Sequence, residues 1–334
     1  MTSRPPVRVA LAVAAVLAAV LLAACGEKSE DVAGQPQPFS LTLDFYPNPD
    51  HAGVYMAEEL GYFREAGLDV SVQTPSDPAA PIRQVAAGQT DLAISYEPEV
   101  VLAAEQGLDV LAVASLVDRP LTSLIWLKES KIGGVADLRG KTVATAGIPY
   151  QDAYLETILA RVGLTPSDVK TVNVGYGLLP ALVGGRADAM LGGFRNVEGV
   201  DLRLRGKAPV VTPVDRLGVP TYDELVLVAN HEALEDDPKA VRLFLAALAR
   251  GTAAAVERPN EATKALLAAN PDLDPKLTEA EVAATLPLLS REGRMDPEAW
   301  SRFVAWMREN GQIEGEPAPA ELFSNDYLAG RIPE

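Results

Sequence analysis

The sequence predicts an α/β fold of two similar lobes with a helical C-terminal region, and three observations lead to this prediction. Strand and helix signals alternate through about the first 230 residues, as they do in mainly parallel sheets. Two segments, "VAAGQTDLAI" and "LVGGRADAML", repeat the order of helix end, glycine, aspartate and apolar strand. From Asp237 onward the apolar residues recur at helical spacing.

The first 24 residues are predicted to be a signal peptide. Two arginines precede an apolar run, Val9 to Ala24, that is short for a membrane span of about 20 residues. The run leads into "LLAAC", which resembles a bacterial lipobox, so we expect cleavage to leave Cys25 as a lipidated N-terminus. Residues 25–38 then form a tether, because "GEKSEDVAGQPQ" has no apolar period. A lipid anchor on the outer face of the cell membrane is therefore expected.

Charge and cysteine content limit the possible partners. Cys25 is the only cysteine, which excludes an internal disulfide framework and a multi-cysteine metal site. The chain has 46 acidic and 29 basic residues, a formal net charge of -17 at pH 7. Nucleic acids and anionic membrane surfaces are bound by clustered lysine and arginine, so this acidic chain is predicted to bind neither. We expect a monomer that touches the membrane through its lipid.

The first part of lobe 1 is predicted to span residues 39–125. Four apolar runs in it have the length and composition of strands: Leu41 to Phe45, Leu68 to Val72, Leu92 to Ser95 and Val110 to Ala114. Helical patterns lie between these runs, at about residues 52–66, 81–87 and 98–106. The alternation predicts parallel strands joined by helices.

A second series of strands and helices follows "KESKIGGVADLRGK" and predicts lobe 2 at residues 126–224. Its strands are predicted near residues 142–145, 171–174, 189–192 and 210–212, and its helices near 151–162 and 179–183. "TSLIWLK" and "ELVLVAN" are strand-like and border the change of series, so we expect the chain to cross between the lobes there. Residues 225–334 then supply the return strand of lobe 1 and the C-terminal helices.

The stretch "DLAISYEPE" marks the end of a strand in lobe 1. The apolar run of Leu92 to Ile94 is short, and Pro98 suits the first turn of a following helix. Tyr96 and Glu97 therefore form a strand-to-helix turn, and ligands of open α/β sheets bind beyond such carboxyl ends. "GGFRNVEG" follows the corresponding strand of lobe 2. We expect these two strand ends, which are rich in aromatic, amide and carboxylate groups, to face each other across a cleft.

The common signatures of enzymes are absent from the sequence. It has no glycine-rich phosphate loop, no G-x-S-x-G motif and no H-E-x-x-H motif. Its two histidines, His51 and His231, cannot build a three-histidine metal site. We therefore predict a protein that is not an enzyme and holds neither a cofactor nor a metal ion.

Several segments resemble one known family. They are "LDFYPNPDHAGVYMAEELGYFREAGLDV", "DPAAPIRQVAAGQTDLAISYEPEVVLAAEQG", "GGFRNVEGVDL" and "GVPTYDELVLVA". They are similar to the solute-binding proteins of ABC importers that take up thiamine pyrimidine precursors, over nearly all of residues 39–257. The "N-x-x-H" and "S-Y-E-P-E" stretches are the most specific parts. The resemblance implies a bilobal periplasmic-binding-protein fold, with two mixed sheets flanked by helices and the ligand in the hinge cleft.

The resemblance also implies a function. We expect the chain to capture a thiamine pyrimidine precursor, such as hydroxymethylpyrimidine or formylaminopyrimidine, and to deliver it to an ABC permease with its ATPase. An aminopyrimidine has flat faces on which aromatic rings stack, and an amine and ring nitrogens that pair with amides and carboxylates. The candidate ligand-binding residues supply these groups: Asp44, Tyr46, Asn48, His51, Tyr96, Glu97, Tyr150, Tyr176, Phe194, Asn196 and Glu198.

Other interpretations stay open at this point. Glu97 and Asn196 also suit helix caps, and Glu198 suits a solvated helix position. A riboflavin or sulfonate binder of the same fold is a sibling function, although a sulfonate requires basic groups and Arg195 is the only one in the cleft segments. The alternative of another class is an enzyme similar to the eukaryotic pyrimidine synthase, which uses an active-site histidine as a substrate and a cysteine-rich iron site. His51 occupies the matching "N-x-x-H" position, but the cysteine-rich segment is absent.

Overall fold

Ten strands form two five-stranded sheets in residues 35–328, the part of the chain that the computed structural model describes. The predicted signal peptide, Cys25 and most of the tether lie outside the described residues. The first sheet contains β1 to β4 and β10, at Gln37–Thr42, Leu68–Gln73, Leu92–Ser95, Val110–Val117 and Leu225–Asn230. The second contains β5 to β9, at Thr122–Leu127, Thr142–Thr145, Lys170–Asn173, Ala189–Phe194 and Pro209–Pro213.

Both sheets follow the same strand plan. The strand order is β2-β1-β3-β10-β4 in the first sheet and β7-β6-β8-β5-β9 in the second. Three parallel strands in each sheet are followed by an antiparallel strand, β10 or β5, that the chain enters on leaving the other sheet. The sheets are mixed, as the sequence resemblance implies, because each receives one strand from the other half of the fold.

The repeated sequence segments open the third parallel strand of each sheet. Gly88 and Gly185 follow the preceding helices with φ of 65° and 70°, a left-handed conformation that glycine adopts without steric strain. The carboxylate of Asp91 then accepts a hydrogen bond from a backbone N–H of β1 at 2.6 Å. The carboxylate of Asp188 accepts the equivalent bond from β6 at 2.9 Å. The short sequence echo therefore reflects the same local construction in the two sheets.

Helices cover the faces of both sheets. Within the described residues they are α1 to α13, at Ala52–Glu59, Tyr62–Glu65, Pro81–Ala86, Glu97–Glu105, Tyr150–Ala160, Leu178–Val183, Glu198–Leu204, His231–Asp236, Pro238–Glu257, Pro259–Ala269, Pro275–Thr285, Pro297–Glu309 and Pro319–Leu322. One long helix was expected at residues 52–66, but Gly61 interrupts it with φ of 73° and separates α1 from α2. No helix in residues 35–328 is long and apolar enough to cross a membrane.

The chain crosses between the sheets twice. It leaves β4 and enters β5 through residues 118–121, and it returns from β9 to β10 through residues 214–224. The buried carboxylate of Glu224 connects the two crossings, because it accepts hydrogen bonds from the backbone N–H groups of Leu121 and Thr122 at 2.6 and 2.7 Å. All of β5 belongs to the second sheet, so the lobe boundary expected at residue 126 falls inside this strand.

The C-terminal helices complete the first lobe and also contact the second. Trp300 on α12 is fully buried and donates its indole N–H to Asp223 at 2.8 Å, beside the second crossing. Helix α11 packs against the short helical turn Pro49–His51 of the first lobe and against α7 of the second. It therefore lies along one side of the seam between the lobes.

Candidate functional site

A cavity lies where strands of both sheets end. It is called the inner cavity below, and its free volume of about 20 Å³ is close to the space of one water molecule. The first lobe contributes residues that follow β1 and β3, and the second contributes residues that follow or end β6 and β8. The lining residues are Asp44, Phe45, Asn48, Tyr96, Ala146, Ile148, Tyr150, Gln151, Gly192, Phe194, Val197 and Glu198. No lysine or arginine is among these described lining residues.

Six of the predicted site residues line the inner cavity: Asp44, Asn48, Tyr96, Tyr150, Phe194 and Glu198. Tyr46 and Tyr176 line a second hollow of about 250 Å³, called the adjoining compartment below. The two spaces share Asn48, Val197 and Glu198 as walls. The remaining three predicted residues, which are His51, Glu97 and Asn196, line neither space.

A chain of hydrogen bonds runs from the cavity wall into the first lobe. Tyr96 donates its hydroxyl hydrogen to Asp44 Oδ2 at 2.8 Å, and His51 Nε2 lies 2.8 Å from Asp44 Oδ1. The backbone N–H of Asn48 donates to His51 Nδ1 at 3.2 Å. Because Nδ1 accepts, a neutral His51 carries its proton on Nε2 and donates it to Asp44. Both oxygens of Asp44 are thus engaged, and this carboxylate orients Tyr96.

Asn48 stands at the start of the short helical turn Pro49–His51. Its Oδ1 accepts a hydrogen bond from the backbone N–H of Asp50 at 2.8 Å, and its Nδ2 donates to the carbonyl of Tyr46 at 3.1 Å. A side-chain amide has two N–H donors, so one hydrogen of Nδ2 is left for a group in the cavity. The capping contacts fix the orientation in which that hydrogen is presented.

Glu198 is the first residue of α7 and forms part of the wall between the two spaces. Its Oε2 accepts a hydrogen bond from the backbone N–H of Phe194 at 2.7 Å, which ties the end of β8 to the helix. Among the described residues, the side chain that contacts its Oε1 is Tyr46, whose hydroxyl lies at a long 3.4 Å. Burial raises the pKa of the Glu198 carboxyl, and the hydrogen bond from Phe194 opposes that rise. Oε1 is therefore the acceptor of this site that is least occupied by the protein.

Aromatic rings from both lobes meet around the cavity. The ring centroids of Tyr96 and Tyr150 are 5.4 Å apart at an interplanar angle of 57°. Phe45 packs edge-on against Tyr176, with centroids 4.7 Å apart. Tyr96, Tyr150 and Phe194 are all buried. Several aromatic rings are thus available to a flat ligand, and few polar groups of the site are accessible to water.

Glu97 and Asn196 serve the protein's own contacts. Glu97 is fully buried, and its Oε2 accepts the backbone N–H of Asp223 at 2.6 Å, which fastens α4 to the second crossing. Asn196 donates from Nδ2 to Asp50 Oδ1 at 2.9 Å and to Thr285 Oγ1 at 2.8 Å. Asn196 therefore joins the second lobe to the first lobe and to α11, on the seam beside the inner cavity.

Six lining residues were not expected from the sequence: Phe45, Ala146, Ile148, Gln151, Gly192 and Val197. Gln151 accepts a hydrogen bond on Oε1 from the backbone N–H of Ala146 at 2.8 Å. Gly192 has φ of 109°, and a Cβ there would lie 2.3 Å from Gln151 Nε2. A glycine is thus required for the glutamine to approach β8. The sequence contained a signal for Gln151, because "TAGIPYQ" runs from the end of β6 into a helix, as "SYEPE" runs from the end of β3.

Several buried carboxyl groups near the crossings make the stability depend on pH. Burial raises the pKa of Glu99 and Glu224 to about 7 and the pKa of Asp223 to about 6. Values near 4 apply in an unfolded chain, so the folded state binds more protons between about pH 4.5 and 7. The free energy of unfolding therefore falls as the pH rises through this window.

We expect the thermal unfolding midpoint to decrease by about 5 °C from pH 5 to pH 8. Glu99→Gln removes one group whose pKa is raised, so it should flatten the profile. Glu279→Gln makes the same exchange at an exposed position and should leave the profile unchanged. A midpoint that rose between pH 5 and pH 8 would contradict the assignment of these raised pKa values.

The chain is similar to known proteins over most of its length. Residues 48–262 match the family model described as NMT1/THI5 like. The formylaminopyrimidine-binding protein of Halalkalibacterium halodurans is 35% identical over 92% of this chain and 96% of its own length. The 4-amino-5-hydroxymethyl-2-methylpyrimidine phosphate synthase of Legionella pneumophila is 29% identical over 86% of this chain and 92% of its own.

A solved structure shows the same fold. The alkanesulfonate-binding protein of Xanthomonas axonopodis, bound to MOPS, superposes with a TM-score of 0.69 at 16% identity, over 87% of this chain and 99% of its own. The periplasmic-binding-protein fold with two mixed sheets flanked by helices, expected from the sequence, is therefore confirmed.

Proposed function

The chain belongs to the NMT1/THI5-like family, and from this premise we propose that it is the solute-binding component of an ABC importer that captures a thiamine pyrimidine precursor. The observation that carries the proposal is the chemistry of the inner cavity. The cavity brings together aromatic rings, the second amide hydrogen of Asn48 and Oε1 of Glu198, which has a long contact with Tyr46. No basic side chain lines it within the described residues. The name of the Halalkalibacterium relative supports the same ligand class.

Each group of an aminopyrimidine has a partner of the right type in the cavity. The flat ring would pack against Tyr96, Tyr150 and Phe194, since ring stacking favours buried aromatic surfaces. The exocyclic amine would donate to Glu198 Oε1, and the remaining amide hydrogen of Asn48 would reach a ring nitrogen. Asp44 and His51 would act indirectly, by holding the Tyr96 ring in place.

The electrostatics of the cavity disfavour the binding of a sulfonate. A sulfonate binds where arginines or free backbone N–H groups of a helix surround it. Two carboxylates, Asp44 and Glu198, line the inner cavity instead. Arg195, the basic residue considered from the sequence, donates its Nε–H to the carbonyl of Pro120 at 3.2 Å and does not line the cavity. An anionic ligand would thus meet repulsion without compensation.

The alternative from another class is synthesis of the pyrimidine, as the name of the Legionella relative indicates for that protein. The two functions require different roles of His51, because synthesis would consume its side chain and binding would not. Its ring is 0% exposed, and both ring nitrogens are engaged, one with Asp44 and one with the backbone of Asn48. This structural role of His51 supports binding over consumption of the histidine. A mass decrease at His51 after incubation with ligand and cofactors would favour synthesis.

We propose that the ligand closes the two lobes on each other. The contacts that would break on opening are visible across the cleft: Tyr176 donates its hydroxyl hydrogen to the carbonyl of Pro75 at 2.8 Å, and Asn196 donates to Asp50. Both crossings would bend, as segments between two lobes do in hinge closure. Small-angle scattering of ligand-free protein should show a larger radius of gyration than protein with saturating ligand. An unchanged radius would contradict closure.

The location follows the same proposal. An importer's solute-binding protein works outside the cytoplasm, and Cys25, which lies outside the described residues, would hold it at the membrane through its lipid. Mass spectrometry of small molecules released from freshly purified protein tests the function as a whole. We expect an aminopyrimidine in the released fraction. A sulfonate or a flavin in its place would overturn the ligand assignment.

A further inference from the structure

The adjoining compartment has no role in holding the pyrimidine ring. Its volume of about 250 Å³ is much larger than that of the inner cavity, about 20 Å³, and it opens along the seam between α7 of the second lobe and α11. It shares the Glu198 side of the inner cavity, so a substituent on a bound pyrimidine could extend into it. The chemistry of this compartment therefore bears on which pyrimidine the protein selects.

The compartment is acidic from several sides. Glu198 and Asp201 face it from α7, and Glu281 and Asp274 face it from α11 and the residue before it. Asp50 lies behind these groups and raises the pKa of Glu281. Arg205 is the basic residue of the lining, and it is already paired with Asp201 through Nη2 and Oδ2 at 3.0 Å. The acidic groups of the lining thus outnumber its one basic group.

Glu281 is the member of this group that points most clearly to a missing partner. It is 7% exposed, lines the compartment, and has neither a hydrogen bond nor an ion pair with any described residue. Burial and the charges of Glu198, Asp201 and Asp50 raise the pKa of Glu281 to about 9. A carboxyl group with this pKa is protonated at pH 7 in the free protein, and an ammonium group beside it would favour the carboxylate form and so gain a charged partner.

Two aromatic rings add a second feature that suits a cation. Tyr46 and Tyr176 both line the compartment, with ring centroids 6.2 Å apart at an interplanar angle of 61°. The faces of tyrosine rings attract cations placed within about 6 Å of the centroid. Carboxylates combined with aromatic faces attract an ammonium group more strongly than they attract a neutral substituent, and they repel an anionic one.

We propose that the adjoining compartment binds a positively charged substituent of the pyrimidine, an ammonium group, with Glu281 as its direct partner. The inference rests on the proposed function and narrows it to a ligand class: aminopyrimidines that carry a second, protonated amine. Glu198 then serves both spaces, with the ring amine on the side of the inner cavity. Tyr46 and Tyr176 pack on the charged group.

Three ligands that differ only in the substituent test the proposal by calorimetry. They are 4-amino-5-aminomethyl-2-methylpyrimidine, its N-formyl derivative, which keeps the nitrogen but loses the charge, and the 5-hydroxymethyl compound. At pH 7 the amine should bind at least about tenfold more tightly than either neutral compound. Glu281→Gln should weaken binding of the amine about tenfold more than it weakens binding of the neutral compounds. Glu279→Gln, on the exposed side of the same helix, should change none of these affinities.

The possible outcomes separate this inference from the proposed function. If a neutral compound binds as tightly as the amine or more tightly, the cation site is wrong and the proposed function stands. If Glu281→Gln weakens all three ligands equally, Glu281 acts on the structure of the seam and the inference is overturned. If none of the three binds, the proposed function falls, and the cation site falls with it.

Discussion

Glu224→Ala is expected to lower the free energy of unfolding by about 3–5 kcal/mol, the largest change in stability that we predict. The Glu224 carboxylate is 0% exposed and accepts four hydrogen bonds. The donors are the backbone N–H groups of Leu121 and Thr122 at 2.6 and 2.7 Å, the Thr122 hydroxyl at 2.7 Å and the Tyr222 hydroxyl at 3.0 Å. Alanine leaves all four buried donors without an acceptor, and each such loss costs about 1–3 kcal/mol when taken singly.

Chemical denaturation measures this change directly. Glu224→Gln keeps one acceptor oxygen and should give an intermediate loss. Glu279→Ala removes an exposed carboxylate from α11 and should stay within about 0.5 kcal/mol of the natural protein. A loss below about 1 kcal/mol for Glu224→Ala would show that the two crossings do not depend on this carboxylate.

Glu198→Gln is expected to weaken binding of the pyrimidine by about tenfold to a hundredfold. The amide oxygen can keep the hydrogen bond from the Phe194 backbone, which now occupies Oε2 at 2.7 Å. The amide nitrogen then replaces Oε1, so a donor faces the ligand amine where an acceptor stood. The free energy of unfolding should change by less than about 1 kcal/mol, because the fold's own contact with Glu198 survives.

Paired calorimetry and thermal unfolding separate the two effects of this substitution. Glu156→Gln is a suitable control, because Glu156 is an exposed carboxylate of the same lobe. Unaltered affinity for Glu198→Gln would show that Oε1 does not contact the ligand. A fall in stability that matched the fall in affinity would assign Glu198 a structural role alone.

Much of the fold could be predicted because its signals are local. Apolar runs of strand length identified strands of both sheets, and "VAAGQTDLAI" and "LVGGRADAML" showed that the two halves share a construction. The order of strands depends on pairings between distant segments, so local periodicity could not place all of β5 in the second sheet. The break at Gly61 needed a positive φ that a helical pattern does not reveal.

The site could be predicted as a region but not residue by residue. Strand ends indicated Tyr96 and Glu97 equally, yet Tyr96 lines the cavity and Glu97 turns to the backbone of Asp223. A polar residue at a strand end can face a ligand or a neighbouring segment, and only the packing decides between them. Gln151 and Glu281 were missed for the same reason, since Gln151 lines the cavity where it approaches Gly192 of β8 and Glu281 faces α7 from a helix distant in sequence.

The central claim is that the cavity between the lobes binds an aminopyrimidine, and calorimetric titration of ligand-stripped protein tests it most directly. Titration with 4-amino-5-hydroxymethyl-2-methylpyrimidine should give one site per chain with a dissociation constant of about 1 μM or tighter. Methanesulfonate and riboflavin, titrated under the same conditions, should give no binding. Absence of binding by the pyrimidine at micromolar concentrations, or saturable binding of the sulfonate, would contradict the account.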